Sequence, residues 1–382
     1  MDGIGTPRLR HLGIYSDLVA AARAQRPLFA SAPSAAEARQ RVRAVLRFTL
    51  GEDRPQEVRR EGAWEADGIV GEALSWSVGY GPRTQAWLLR PAGTERPLPG
   101  LVALHDHGDF KLLGKEKIAD GPDGTAAGLD PFRRTYYGGR AFVNALAREG
   151  FAVLVHDVFL WGSRRFPLET MPDMTRSLAP AIGGLLGAEA GTPQAAGYNG
   201  AAWLHEHLVA KYCTVLGTSF SALVAYEDRV AHAYLRGRED VIAGRVGCIG
   251  LSGGGCRAAL LRATSDHLAA AVIVGMMSTY EPLLDHDIAP HTWMLFPPGL
   301  SAEGDWPDLA ACGAPAPLLV QYQLDDPLFT VEGMRAADRR IAAQYALSGA
   351  SEAYRGEFHP GPHRFDLDMQ RRAFTWLKAQ LC

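Results

Sequence analysis

Val246-Gly247-Cys248-Ile249-Gly250-Leu251-Ser252-Gly253-Gly254-Gly255 decides how the rest of this 382-residue chain is read. An apolar run enters Gly-x-Ser-x-Gly, the pattern of a sharp strand-to-helix turn that lifts a serine hydroxyl clear of a sheet. Such a turn strains the serine backbone and crowds its neighbours. Gly250 and Gly254, two residues either side of Ser252, have no Cβ to clash. The helix formers of Cys256-Arg257-Ala258-Ala259-Leu260-Leu261-Arg262-Ala263 follow, so the motif has a strand before it and a helix after it. A glycine-rich linker would not carry Val246, Cys248 and Ile249 ahead of it. A phosphate loop would end in Lys-Ser or Lys-Thr, which is absent.

Outward from this turn, short apolar runs are bounded by Gly, Pro and Asp. They are Gln85 to Leu89, Gly100 to Leu104, Phe151 to Val155, Arg245 to Leu251, Ala270 to Val274, Leu318 to Tyr322 and Glu352 to Phe358. Helix-length amphipathic segments precede several of them: Tyr136 to Glu149, Ser221 to Arg236 and Gly333 to Leu347; another, Leu367 to Leu381, follows the last. The alternation predicts an α/β fold with a mostly parallel central sheet, helices on both faces and functional groups at the strand carboxyl ends. Helical periodicity between about residues 8 and 50 predicts an N-terminal helical extension over 1–71, ahead of a main domain at 72–382. Phe166 to Tyr212 and Thr279 to Pro317 break the alternation and are expected as long irregular connections forming lid and pocket walls, the first as an insertion at about 166–212.

A serine of this kind needs a base and a carboxylate to orient the base, and after such a turn the chain order is Ser, Asp or Glu, then His. Past one strand end stand Asp325-Asp326-Pro327, and past the next His359-Pro360-Gly361-Pro362-His363. Asp326 and His363 are the candidates of choice, with Asp325 and His359 as runners-up. Taken singly, each is as well read as a turn former or a loop histidine; their conjunction with Ser252 raises them. A developing oxyanion needs backbone N–H donors, one from Gly253 and a second from the loop His105-Asp106-His107-Gly108-Asp109-Phe110, near His107. The two histidines and two aspartates of that loop also suggest a metal site. Two histidine ligands are too few for a structural zinc, so no metal is expected.

Phe110 and Trp161 are candidates for the substrate wall. Tyr198, Trp203, Trp293 and Phe296 lie in similar segments, although plain packing is the commoner role of such aromatics. Arg164 and Arg165 are candidates for an anionic substrate, with a structural role the stronger reading. Formal charge is -3, from 39 Lys and Arg against 42 Asp and Glu, with no basic stripe. Nucleic acid is therefore not an expected partner. The first twenty residues hold Asp2, Arg8, Arg10 and Asp17 without a continuous apolar core, and no segment reaches the roughly eighteen apolar residues that span a bilayer, so no membrane partner is expected. Five cysteines without a Cys-x-x-Cys pair fit a reducing cytoplasm. The N-terminal helices suit a lid or the surface of a homo-oligomer equally.

Several segments together resemble the α/β-hydrolase fold, and within it the acetyl xylan esterase-like and dienelactone hydrolase-like serine hydrolases. These are Leu104-His105-Asp106-His107-Gly108, His156-Asp157-Val158-Phe159-Leu160-Trp161-Gly162, Gly250 to Gly255, Asp326-Pro327-Leu328-Phe329 and Gly361-Pro362-His363-Arg364-Phe365. The resemblance covers roughly residues 72 to 380. It implies Ser252 as nucleophile, His363 as base, Asp326 as its orienting group and the Gly253 and His107 amides as oxyanion hole. Asp106 stands where the family usually has glycine, and 166–212 is longer than a minimal member needs. The implied activity is cofactor-free hydrolysis of a small-molecule carboxylic ester. Acyl transfer, lyase or cyclase chemistry on the same fold is the second reading, and a non-catalytic small-molecule binding protein the third.

Overall fold

A computed structural model describes residues 8–186 and 192–382. Residues 1–7 of the expected N-terminal extension and 187–191 of the expected insertion lie outside the described residues. Nine strands form one sheet: β1 (Gln56–Ala66), β2 (Ile69–Ser77), β3 (Thr84–Pro91), β4 (Leu98–Leu104), β5 (Ala152–His156), β6 (Val241–Leu251), β7 (Ala271–Val274), β8 (Leu318–Gln323) and β9 (Tyr354–His359). Their order is β1-β2-β3-β5-β4-β6-β7-β8-β9. The first three strands run antiparallel, and β3 pairs antiparallel with β5. From β5 to β9 every pairing is parallel.

The central strands are apolar because helices cover both their faces. Every residue of β4, β5, β7 and β8 is buried. Alternation along β4 feeds two cores. Leu98, Val102 and Leu104 join one with the helices Phe220–Arg236, Gly253–Thr264 and Val331–Leu347; Leu101 and Ala103 join the other, with Phe132, Phe142 and Leu377. This is the expected mostly parallel sheet with helices on both faces.

Local expectations needed revision in three places. Helices occupy Leu18–Gln25 and Ala35–Val45, but Gln56–Ala66 is a strand, so a division at residue 71 cuts through β2 instead of between domains. The strand β1 escapes a periodicity search because its side chains are exposed on both faces, Trp64 alone being half-buried. Its charges suit an unpaired edge. The segment Tyr136 to Glu149 is two helices, Leu129–Tyr137 and Phe142–Arg148, separated where Gly138 and Gly139 adopt left-handed φ of 64° and 79°. The connection 166–212 is largely helical, with Asp173–Leu186 and Pro193–Val215 packed on one another.

Candidate active site

Ser252 follows β6 directly and caps the helix Gly253–Thr264 with φ 57° and ψ -121°, a conformation that costs a non-glycine residue of order 1–3 kcal/mol. Its amide donates to Val274 O at 2.8 Å. The turn is pressed onto the end of β4. A Cβ on Gly254 would lie 2.1 Å from Leu104 O, and one on Gly253 2.5 Å from the backbone nitrogen of His107. Close approach, more than flexibility, therefore explains the glycines after the serine. It also brings the amide of Gly253, an orphan donor at a helix start, beside that of His107.

The turn after β9 carries His363 and the loop after β8 carries Asp326. His363 Nδ1 lies 2.6 Å from Asp326 Oδ2, and Asp326 Oδ1 accepts from the Leu328 amide at 2.9 Å. A carboxylate only accepts, so Nδ1 holds the proton and Nε2 is left as an acceptor. Asp325 points elsewhere: its Oδ2 accepts from the Gly361 amide at 2.7 Å and braces the turn that bears His363. His359 pairs with Glu357 at 3.3 Å. Ser252 and His363 line one cleft of about 220 Å³ but are not hydrogen-bonded to each other.

Cleft walls come from the loop at His107 to Asp109, from Tyr136, from the elbow, and from Pro290, His291, Thr292 and Leu295 of the connection after β7. Among the described residues, none that lines the cleft belongs to 166–212. Phe110 and Trp161, candidates for the substrate wall, are core side chains. Phe110 stacks on Phe132 at 5.6 Å; Trp161 stacks on Phe220 at 5.8 Å and donates from Nε1 to His107 O at 3.3 Å. Arg164 is buried and ion-paired with Glu227 at 2.5 Å, a structural role. Arg165 bonds the Gly162 carbonyl at 2.8 Å.

Behind the cleft lies a polar layer that no motif announced. Glu206, buried on the insertion helix Pro193–Val215, contacts His107 Nε2 at 2.8 Å and Lys111 Nζ at 2.7 Å. Its other oxygen accepts from the Thr292 hydroxyl at 2.7 Å and the Trp293 amide at 2.9 Å. Burial opposes its charge, but Lys111 and His107 outweigh it and hold the carboxyl well below the usual range. Burial and Lys111 push the His107 imidazole down, yet Glu206 and Asp109 leave it raised overall. Thus the helix Pro193–Val215 pins two cleft loops from behind. Deeper still, Arg257 of the elbow helix pairs with Asp228 at 2.7 Å and donates to His105 O at 3.2 Å, and His156 Nε2 meets the same carboxylate at 2.9 Å. A Glu buried on a helix or a Lys buried in a loop gives no local signal, which is why these groups were not anticipated.

No family model matches the chain. YtaP of Bacillus subtilis (strain 168), which is named as a hydrolase, is 23% identical over 307 residues, 80% of this chain and 86% of that protein. A solved structure from Bacteroides fragilis NCTC 9343, named as an acetyl xylan esterase, superposes with a TM-score of 0.65 at 15% identity, covering 92% of this chain and 83% of that one. A glucuronoyl esterase from Solibacter usitatus gives 0.60 at 14% identity over 90% and 92% of the two chains. By its sheet order, its elbow and these likenesses, the chain has the α/β-hydrolase fold.

Proposed function

We propose that this chain hydrolyses a small carboxylic ester through Ser252, His363 and Asp326. The observation that carries the proposal is the 2.6 Å bond between His363 Nδ1 and Asp326 Oδ2 at a cleft shared with Ser252, whose backbone is held in a strained turn. Proteins of the same fold named as esterases support ester chemistry over the other reactions this fold hosts.

In this reading Ser252 Oγ attacks the ester carbonyl while its proton passes to His363 Nε2, and Asp326 steadies the imidazolium. The carbonyl oxygen, now negative, sits between the amides of Gly253 and His107. Collapse of the tetrahedral adduct breaks the C–O bond, and the leaving alcohol takes the proton from Nε2. Water then repeats the sequence on the acyl-serine, releasing the acid. The cleft of about 220 Å³ suits a short acyl group.

Ser252→Ala is expected to keep the fold and lose turnover of an aryl acetate by about 10⁴-fold or more, with no labelling by a fluorophosphonate. Aryl acetate turnover that survives in the purified variant would remove the reading.

A further inference from the structure

The peptide joining Asp106 to His107 is gripped from beneath by Lys117, a fully buried ammonium. Lys117 Nζ donates to Asp106 O at 2.5 Å, to Asp106 Oδ2 at 3.2 Å and to His107 O at 3.1 Å. Tyr137 donates its hydroxyl to the other carboxylate oxygen, Oδ1, and His105 Nδ1 lies 3.0 Å from the same Asp106 carbonyl. A simple ion pair would need the carboxylate alone, yet this ammonium also spends contacts on the two carbonyls that flank the His107 nitrogen.

In a planar trans peptide the C=O and N–H point in opposite directions. Drawing the Asp106 carbonyl down to Lys117 therefore turns the His107 N–H the other way, to the side where Gly253 stands, and this N–H has no protein acceptor among the described residues. A cation on the carbonyl also polarises the peptide and makes its N–H a stronger donor. Asp106 supplies the counter-charge that keeps the ammonium in place, its Oδ2 lying 3.2 Å from Nζ.

We infer that Lys117 is a positioning residue for ester hydrolysis: through the Asp106 carbonyl it aims and strengthens the His107 amide that receives the oxyanion. The inference rests on the ester-hydrolase reading above. Facing the ammonium are His105, Asp106, His107 and Lys111 of its own loop region, Arg257 of the elbow helix, and Tyr137 with the ring of Phe132, 5.8 Å away. Burial lowers its pKa, Asp106 opposes this, and Arg257 and Lys111 add to the lowering, leaving it at about 8.

The test compares Lys117→Met and Lys117→Arg with wild type on an aryl acetate, with an arylboronic acid as the tetrahedral mimic. Lys117→Met is expected to lower kcat and boronate affinity together by about 10- to 100-fold while KM moves little, and Lys117→Arg to recover part of both. In wild type, kcat/KM should fall above about pH 8, and Asp106→Asn should move that limb to lower pH by removing the charge that favours the ammonium. A folded Lys117→Met protein whose kcat and boronate affinity stay within about threefold of wild type overturns the inference. If that variant does not fold, a profile flat to about pH 9.5, or a limb that Asp106→Asn leaves in place, overturns it instead. A wild-type protein that neither turns over esters nor labels at Ser252 would instead sink the ester reading itself.

Discussion

Glu206 Oε2 stands 2.7 Å from Nζ of Lys111, both side chains nearly solvent-free, and this pair ties the insertion helix to the loop that carries His107. Removing one member strands the other charge. Glu206→Ala is expected to cost about 3–5 kcal/mol in urea unfolding, and Glu206→Ala with Lys111→Met to recover most of it. Because the Glu206 carboxyl is held below its ordinary pKa, its contribution is present above the ordinary glutamate value and lost as pH falls beneath it. Equal unfolding midpoints for the single and double variants would contradict the coupling.

Two neighbouring aspartates should separate in kinetics. Asp326→Asn removes the partner of His363 Nδ1 and favours the wrong tautomer, so kcat should drop by about 10³- to 10⁴-fold. Asp325→Asn loses only the brace to the Gly361 amide and should cost about tenfold or less. Steady-state rates on one aryl acetate decide between them, and similar losses would contradict the assignment.

The strain at Ser252 predicts an inverse relation between stability and chemistry. Ser252→Gly should be inactive yet about 1 kcal/mol more stable than Ser252→Ala, since glycine accepts φ 57° without penalty. By contrast, Gly254→Ala places a Cβ 2.1 Å from Leu104 O and should cost about 1–3 kcal/mol or more. Thermal melts of the three variants give the ranking directly.

Acid should destabilise the fold through two rings that are neutral when folded. Burial, helped by Arg236 and His267, holds His232 down at about 4; burial also brings His291 to about 4. Both pKa values lie below that of the unfolded chain, so between about pH 6.5 and 4 the unfolded state takes up protons that the folded state refuses. Stability should fall through that window by up to about 1.4 kcal/mol per pH unit per ring. His232→Gln should flatten the loss, read as urea midpoint against pH; an unchanged slope would contradict it.

Much of the architecture was legible along the chain because it is encoded in neighbouring residues. The strands β3 to β8 carry compact apolar runs, the helix Leu367–Leu381 has the bounds its periodicity suggests, and the elbow is written in ten consecutive residues. The strand β1 was not legible, since an exposed edge has no buried face to impose alternation. Nor was the helical character of Asp173–Leu186 and Pro193–Val215, where scattered glycines read as loop but pack as helix, with Asn199 Oδ1 accepting the amides of Lys111 and Leu112, each at 2.9 Å.

The same division runs through the site. Sequence alone determined that a serine stands on a strained turn and that an aspartate and a histidine follow past successive strand ends, because turn chemistry and strand periodicity act over a few residues. Only the tertiary structure decided that Asp326 and not Asp325 meets His363, that Phe110 and Trp161 pack inside, and that Lys117 and Glu206 lie buried against the loop that carries His107. Those relations depend on which side chains lose water together when distant segments meet, and Glu206, 99 residues from His107, leaves no trace of that meeting in its own neighbourhood.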